Sequence, residues 1–111
     1  MSLYYLCGAI SASTEKEMQA NLLKFDKAAL ELRQAGNEVI NPPELDKNQT
    51  NRALAETPEW IKEWAECLHR DLKIIRERRP TMWVLKGWEA SLGANLELRE
   101  AEELGLTICY Q

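Results

Sequence analysis

Histidine is almost missing from the chain: His69 is the only one among 111 residues. Cysteine is scarce, and Cys7, Cys67 and Cys109 form an odd set with no Cys-x-x-Cys spacing. So sparse a ligand set argues against a structural zinc site, and no metal or organic cofactor is expected. The three thiols read as free, which suits a reducing cytoplasm. Long apolar runs are lacking too, and none approaches the roughly 20 residues of a membrane-spanning helix. No charged stretch followed by an apolar segment marks a secretory leader. An excess of basic residues is also absent. Fourteen Lys and Arg against eighteen Asp and Glu leave a formal net charge of −4, without the basic footprint of a nucleic-acid binder.

What is present is the composition of a folded domain, 45% apolar and 29% charged, too apolar for disorder. The length suits one domain, residues 1–111, able to bury roughly two-thirds of its unfolded surface. Leu3 to Cys7 is a short apolar run ending at Gly8 and reads as a buried strand. Ser11, Ser13 and Thr14 offer caps for a helix whose apolar face is Leu22, Phe25, Ala29 and Leu32 and whose stop is Ala35-Gly36. Glu38 to Ile40 is a second strand, closed by Asn41-Pro42-Pro43. Residues 42–57 read as a long polar loop with a helical turn around Arg52 to Ala55, of the kind that often serves as a lid or a binding loop. Thr57-Pro58-Glu59 starts a helix with the stripe Ile61, Trp64, Leu68, Leu72 and Ile75, ended by Pro80. Thr81 to Leu85 is a third strand, Lys86 to Ser91 a loop, Leu92 to Leu104 a helix stopped by Gly105, and Leu106 to Tyr110 a fourth strand.

Strand and helix alternate throughout. That order predicts a three-layer α/β/α fold, flavodoxin-like, with a parallel sheet ordered 2-1-3-4 and right-handed crossovers. The order reverses between strands one and three, where such sheets bind ligands at their carboxyl ends. The loops at Gly8 and at Gly87 to Ser91 both fall there.

The segment Ser91-Leu92-Gly93-Ala94-Asn95-Leu96-Glu97 opens the last helix. Its small residues allow close approach to a helix N-terminus that favours anions, and Ser91 adds a hydroxyl. Glu97 lies one turn on, where the helix dipole is expected to keep it ionised, as a nucleophile requires. The plainer alternative is a capped helix with a surface glutamate. Asp71 is the second carboxyl. Trp60, Trp64, Cys67 and Asp71 follow one helix flank, where lost solvation would make the carboxyl hold a proton and act as a general acid. The alternative is an exposed Asp71 paired with Arg70 or Lys73. Tyr4 and Tyr5 point to opposite faces of the first strand. His69 reads as a surface residue, and Arg76, Arg78 and Arg79 as a helix C-terminus. Trp88 either stacks on a base or covers a subunit contact.

Taken together, Tyr5-Leu6-Cys7-Gly8-Ala9-Ile10, Arg70-Asp71-Leu72 and Ser91 to Glu97 resemble, in this order, the nucleoside 2-deoxyribosyltransferase superfamily. The nearest enzyme pattern is that of the 2′-deoxynucleoside 5′-phosphate N-hydrolases. Over nearly the whole chain, and through the segment Gly87-Trp88-Glu89-Ala90-Ser91-Leu92-Gly93-Ala94, the sequence also resembles small, often phage- or prophage-encoded proteins of the DUF4406 type. The resemblance implies that Glu97 attacks the anomeric carbon of a deoxyribose, that Asp71 assists proton transfer, and that Tyr5 sits beside the nucleophile. Ser91, with the backbone of Gly8, Ala9, Ile10 and Gly93, is implied to cradle a 5′-phosphate. Two departures stand out. The hydrolases carry a Ser and an Arg in the first loop, where this chain has Ala9 and Ser11; the loss of that Arg removes the strongest phosphate donor. The transferases more often place an Asp where this chain has Ser91.

The expected activity is cleavage or transfer at the N-glycosidic bond of a 2′-deoxynucleoside or 2′-deoxynucleotide by a carboxylate nucleophile. The alternative is a nucleotide-binding or sensor module that does not turn over. The expected partners are a small nucleoside or nucleotide and a second copy of the chain, since four Trp on a small chain suggest a two-fold dimer. Neither nucleic acid nor membrane is expected.

Overall fold

The computed structural model describes residues 2–46 and 58–111. In chain order the elements are β1 (Leu3–Cys7), α1 (Glu15–Gln34), β2 (Glu38–Ile40), α2 (Pro42–Leu45), α3 (Pro58–Arg78), β3 (Thr81–Val84), a 3₁₀ turn (Trp88–Ala90), α4 (Leu92–Glu103) and β4 (Ile108–Tyr110). The four strands form one all-parallel sheet in the order β2-β1-β3-β4, so the expected topology holds. Tyr5 stands opposite Met82 and Cys7 opposite Val84.

The period-two alternation of β1 and β3 divides the core. Tyr5, Cys7, Met82 and Val84 point to one face and pack with Ile75 of α3 and Ala94, Leu98 and Ala101 of α4. Leu6 and Leu85 pack on the other face with Phe25, Ala28 and Ala29 of α1. The rings of Tyr4 and Trp83 meet edge to face there, 5.7 Å apart. Tyr4 and Tyr5 therefore do point to opposite faces.

Local chemistry sets the helix ends. Thr14 caps α1, its hydroxyl accepting the Glu17 N–H at 3.2 Å. Gly36 and Gly105 follow α1 and α4 with φ of +90° and +72°. In each case the next two N–H groups reach back to the helix carbonyls, Gly105 to Glu102 and Leu106 to Ala101 in α4, which is the Schellman closure that glycine permits. Leu106 is thereby used by the helix exit, and β4 starts at Ile108, two residues later than the apolar run suggests.

Three other expectations need correction. Residues 42–45 are the short helix α2 rather than loop, because proline is tolerated in the first turn, where no intrahelical N–H is required. Ile61 does not join the stripe of α3: it is 63% exposed, and the buried side of the helix starts at Trp64. The loop from Lys86 to Ser91 holds the 3₁₀ turn, entered through Gly87 at φ +92°. The remainder of the polar loop, residues 47–57, and the Thr57 cap lie outside the described residues. Among the described residues no helix is long and apolar enough to cross a membrane.

Candidate active site

A cavity of about 340 Å³ opens at the carboxyl ends of β1 and β3, where the strand order reverses. Its size is at the small end for ligand sites. One wall is the loop after β1, from Gly8 to Ser11. The second is Ala90, Ser91 and the first turn of α4. The third is the flank of α3 that carries Trp64, Cys67 and Asp71. Glu97 and Asp71, 26 positions apart in the chain, both line it.

Glu97 belongs to the inward stripe of α4 with Ala94, Leu98 and Ala101. Helical spacing therefore places a carboxyl in an otherwise apolar seam, and only 7% of the residue is exposed. The Tyr5 hydroxyl donates to its Oε2 at 2.5 Å. The Cys7 thiol lies 3.5 Å from its Oε1 and 3.5 Å from the Ala94 carbonyl. Tyr5 and Cys7 reach the same carboxyl because they are two residues apart on one strand. Burial pushes both the phenol and the thiol up, with Glu97 adding to it, so each keeps its proton and donates.

The proton affinity of Glu97 is the reverse of the expectation. Glu97 is the sixth residue of α4, beyond the single turn over which the dipole acts. Burial, followed by the nearby charge of Asp71, pushes its carboxyl up to about 8, against the opposing pull of Tyr5, Cys7 and Arg70. Burial thus holds Glu97 neutral at pH 7.

Asp71 is buried as well, at 5% exposure. Burial pushes its carboxyl up to about 6, with Arg70 and the Tyr5 hydroxyl opposing the rise and Asp46 adding to it. Arg70 donates from Nε to Asp71 Oδ1 at 2.9 Å and from Nη1 to Asp46 Oδ1 at 2.6 Å. The ion pair with Arg70 that the plainer reading proposes is therefore real, but it lies in the cavity wall and not on a solvated face. Lys73 instead reaches toward Glu77. Trp64 and Cys67 share the wall with Asp71; the Trp60 side chain lies outside the described residues.

The sequence of the chain can now be placed. The DUF4406 family, described as a domain of unknown function, matches residues 2–110. The chain belongs to the DUF4406 family. No curated protein and no solved structure matches it.

Within this DUF4406 domain the small residues of the site have structural explanations of their own. A Cβ on Gly8 would sit 3.1 Å from the Leu85 Cβ, so a side chain there would require Leu85 to give way by a few tenths of an ångström. A Cβ on Gly93 would sit 3.3 Å from Trp64 Nε1; the glycine lets the indole close over the start of α4. The Ser91 hydroxyl accepts the Ala94 N–H at 3.2 Å as the cap of α4, and it also lines the cavity with Ala9, Ile10 and Gly93. Trp88 is elsewhere: its ring packs 5.7 Å from that of Tyr110 and against the α3–α4 side of the core, beside a separate small depression. Three residues of the DUF4406 site escaped the sequence reading. Cys7 was legible from its alternation with Tyr5. Arg70 was legible only as a surface partner. Asp46 sits 24 positions from Arg70, and no sequence signal joins them. Among the described residues no group of three or more His, Cys, Asp and Glu is arranged to hold a metal ion.

Proposed function

We propose that this protein cleaves or transfers at the N-glycosidic bond of a 2′-deoxynucleoside or 2′-deoxynucleotide, with Glu97 as nucleophile and Asp71 as proton donor. The convergence of these two buried carboxyls on one cavity, with the Tyr5 hydroxyl bound to Glu97, carries the reading. The likeness of the three motifs to nucleoside 2-deoxyribosyltransferases supports it.

Between about pH 6 and 8 the pair holds one proton. Tyr5 acts on both carboxyls and offers a route for that proton from Glu97 to Asp71. A Glu97 oxygen then bonds to C1′ of the sugar while the bond from C1′ to the base nitrogen breaks. Asp71 gives its proton to the departing base, so the base leaves neutral. In the second half Asp71 takes a proton from water or from an incoming base. The new nucleophile bonds to C1′, and the Glu97 ester breaks. Two inversions give net retention.

Incubation with a panel of 2′-deoxynucleosides and their 5′-monophosphates, followed by chromatography for free base, tests the reading. Release by the native protein and none by Glu97→Ala supports it; no release from any substrate, or equal release by the variant, refutes it. A second reading, a nucleotide-binding module without turnover, is favoured by Ala9 and Ser11 standing where the similar hydrolases carry Ser and Arg. It predicts a ligand-dependent rise in melting temperature with no base released.

A further inference from the structure

We propose that Asp46 is a positioning residue for Asp71, acting through the Arg70 guanidinium that the two carboxylates share. The proposal rests on the reading of Asp71 as the acid–base group of the cavity. Arg70 does not give its whole charge to Asp71. Its Nη1 is taken by Asp46 Oδ1 at 2.6 Å. Its Nη2 comes within 2.8 Å of Asp71 Oδ1 but outside hydrogen-bonding geometry, so only Nε makes a directed bond to Asp71, at 2.9 Å. A bidentate, undivided arginine would hold Asp71 firmly as a carboxylate. Dividing the cation between two carboxylates weakens that hold, and the negative charge of Asp46 acts on Asp71 directly in the same sense.

Asp46 is fixed well enough to do this. It follows α2, its side chain is 9% exposed, and the Cys67 thiol donates to the same Oδ1 at 3.4 Å. It therefore ties the end of α2 to two successive turns of α3, one residue before Asp71. The other groups facing Asp71 are the Tyr5 hydroxyl and Cys7 from β1 and Glu97 from α4. None of these carries positive charge, so Arg70 is the cation that sets the balance among the described groups, and Asp46 is what divides it.

The test is Asp46→Asn in the full chain, read by ¹³C NMR titration of the Asp71 carboxyl, assigned by its loss in Asp71→Asn. Freed from its second carboxylate, Arg70 should lower the Asp71 midpoint by about one pH unit. Asp46→Glu, which keeps the charge, should restore most of it. In base release the acidic flank of the pH profile should move down with the midpoint, with little change in KM. An unmoved Asp71 midpoint in folded Asp46→Asn overturns the proposal. If Asp46→Asn does not fold, Arg70→Gln replaces it: the Asp71 midpoint must then rise, and an unchanged one overturns the proposal equally. The titration needs no activity. A midpoint that moves in a protein releasing no base upholds the clamp and refutes the glycosidic reading. Base release with an unmoved midpoint does the opposite.

Discussion

Replacing Glu97 by Gln should make the protein more stable at neutral pH while removing the base release proposed for it. Gln keeps the volume and an acceptor for the Tyr5 hydroxyl, so packing is retained. What changes is the proton. The unfolded chain ionises Glu97 near its ordinary value of 4.5, whereas the fold holds the carboxyl neutral up to about 8. The folded state therefore binds more protons across that interval, and stability falls as pH rises through it, levelling off above about 8. By pH 7 the loss is about 3 kcal/mol, accumulated at about 1.4 kcal/mol per pH unit. Asp71 acts in the same sense, but its share ends at about 6, so the interval from 6.5 to 8 isolates Glu97. Thermal unfolding of both proteins across that interval should show a falling Tm for the native chain and a flat one for Glu97→Gln. At pH 7, realising even 1 kcal/mol of the gain would raise the Tm by about 4–8 °C. A variant that is no more stable at pH 7 and keeps the native slope would refute the account of Glu97 as a carboxyl held neutral by burial.

Base release should follow a bell in pH with flanks near 6 and 8. Below the first both carboxyls are protonated and above the second both are ionised, and either state lacks one of the two partners. A profile flat from pH 5 to 9 would contradict the pairing. Gly8→Ala should cost about 1–3 kcal/mol in urea unfolding, because its Cβ meets that of Leu85 at 3.1 Å. An unchanged midpoint would mean that the sheet face yields.

The parts of this molecule that were legible in its sequence are those governed by local rules. Alternation of short apolar runs with amphipathic segments gave the strand order, and Gly36 and Gly105 marked helix ends that the Schellman geometry then produced. The pairing of Tyr5 with Glu97 was implied only by the resemblance to nucleoside 2-deoxyribosyltransferases, since strand alternation does not choose between Tyr4 and Tyr5. What escaped depends on distances between elements. The ionisation of Glu97 differs from the expectation because a dipole is read along one helix, whereas burial depends on how α4 packs against β1 and α3. Asp46 was missed because its contact with Arg70 exists only once α2 lies against α3. Trp88 was drawn toward the site by its neighbours in sequence, while the 3₁₀ turn aims it at Tyr110.

The order of the two proton affinities bears on the chemistry itself. A carboxylate that attacks carbon must be ionised, yet Glu97 is the carboxyl that holds its proton more tightly. In the proposed reaction the shared proton must therefore move from the tighter carboxyl to Asp71, and bound substrate would favour that move. A sugar ring developing positive charge at C1′ favours an anionic Glu97 in a cavity with little water to screen it. Tyr5, already donating to Oε2, stabilises the same anion without moving. Burial therefore does two things at once. It keeps Glu97 neutral, and in the proposed reaction it would strengthen the attraction between carboxylate and sugar when charge appears. An exposed glutamate at the same position would be ionised from the start but would meet C1′ through solvent that weakens the interaction it needs.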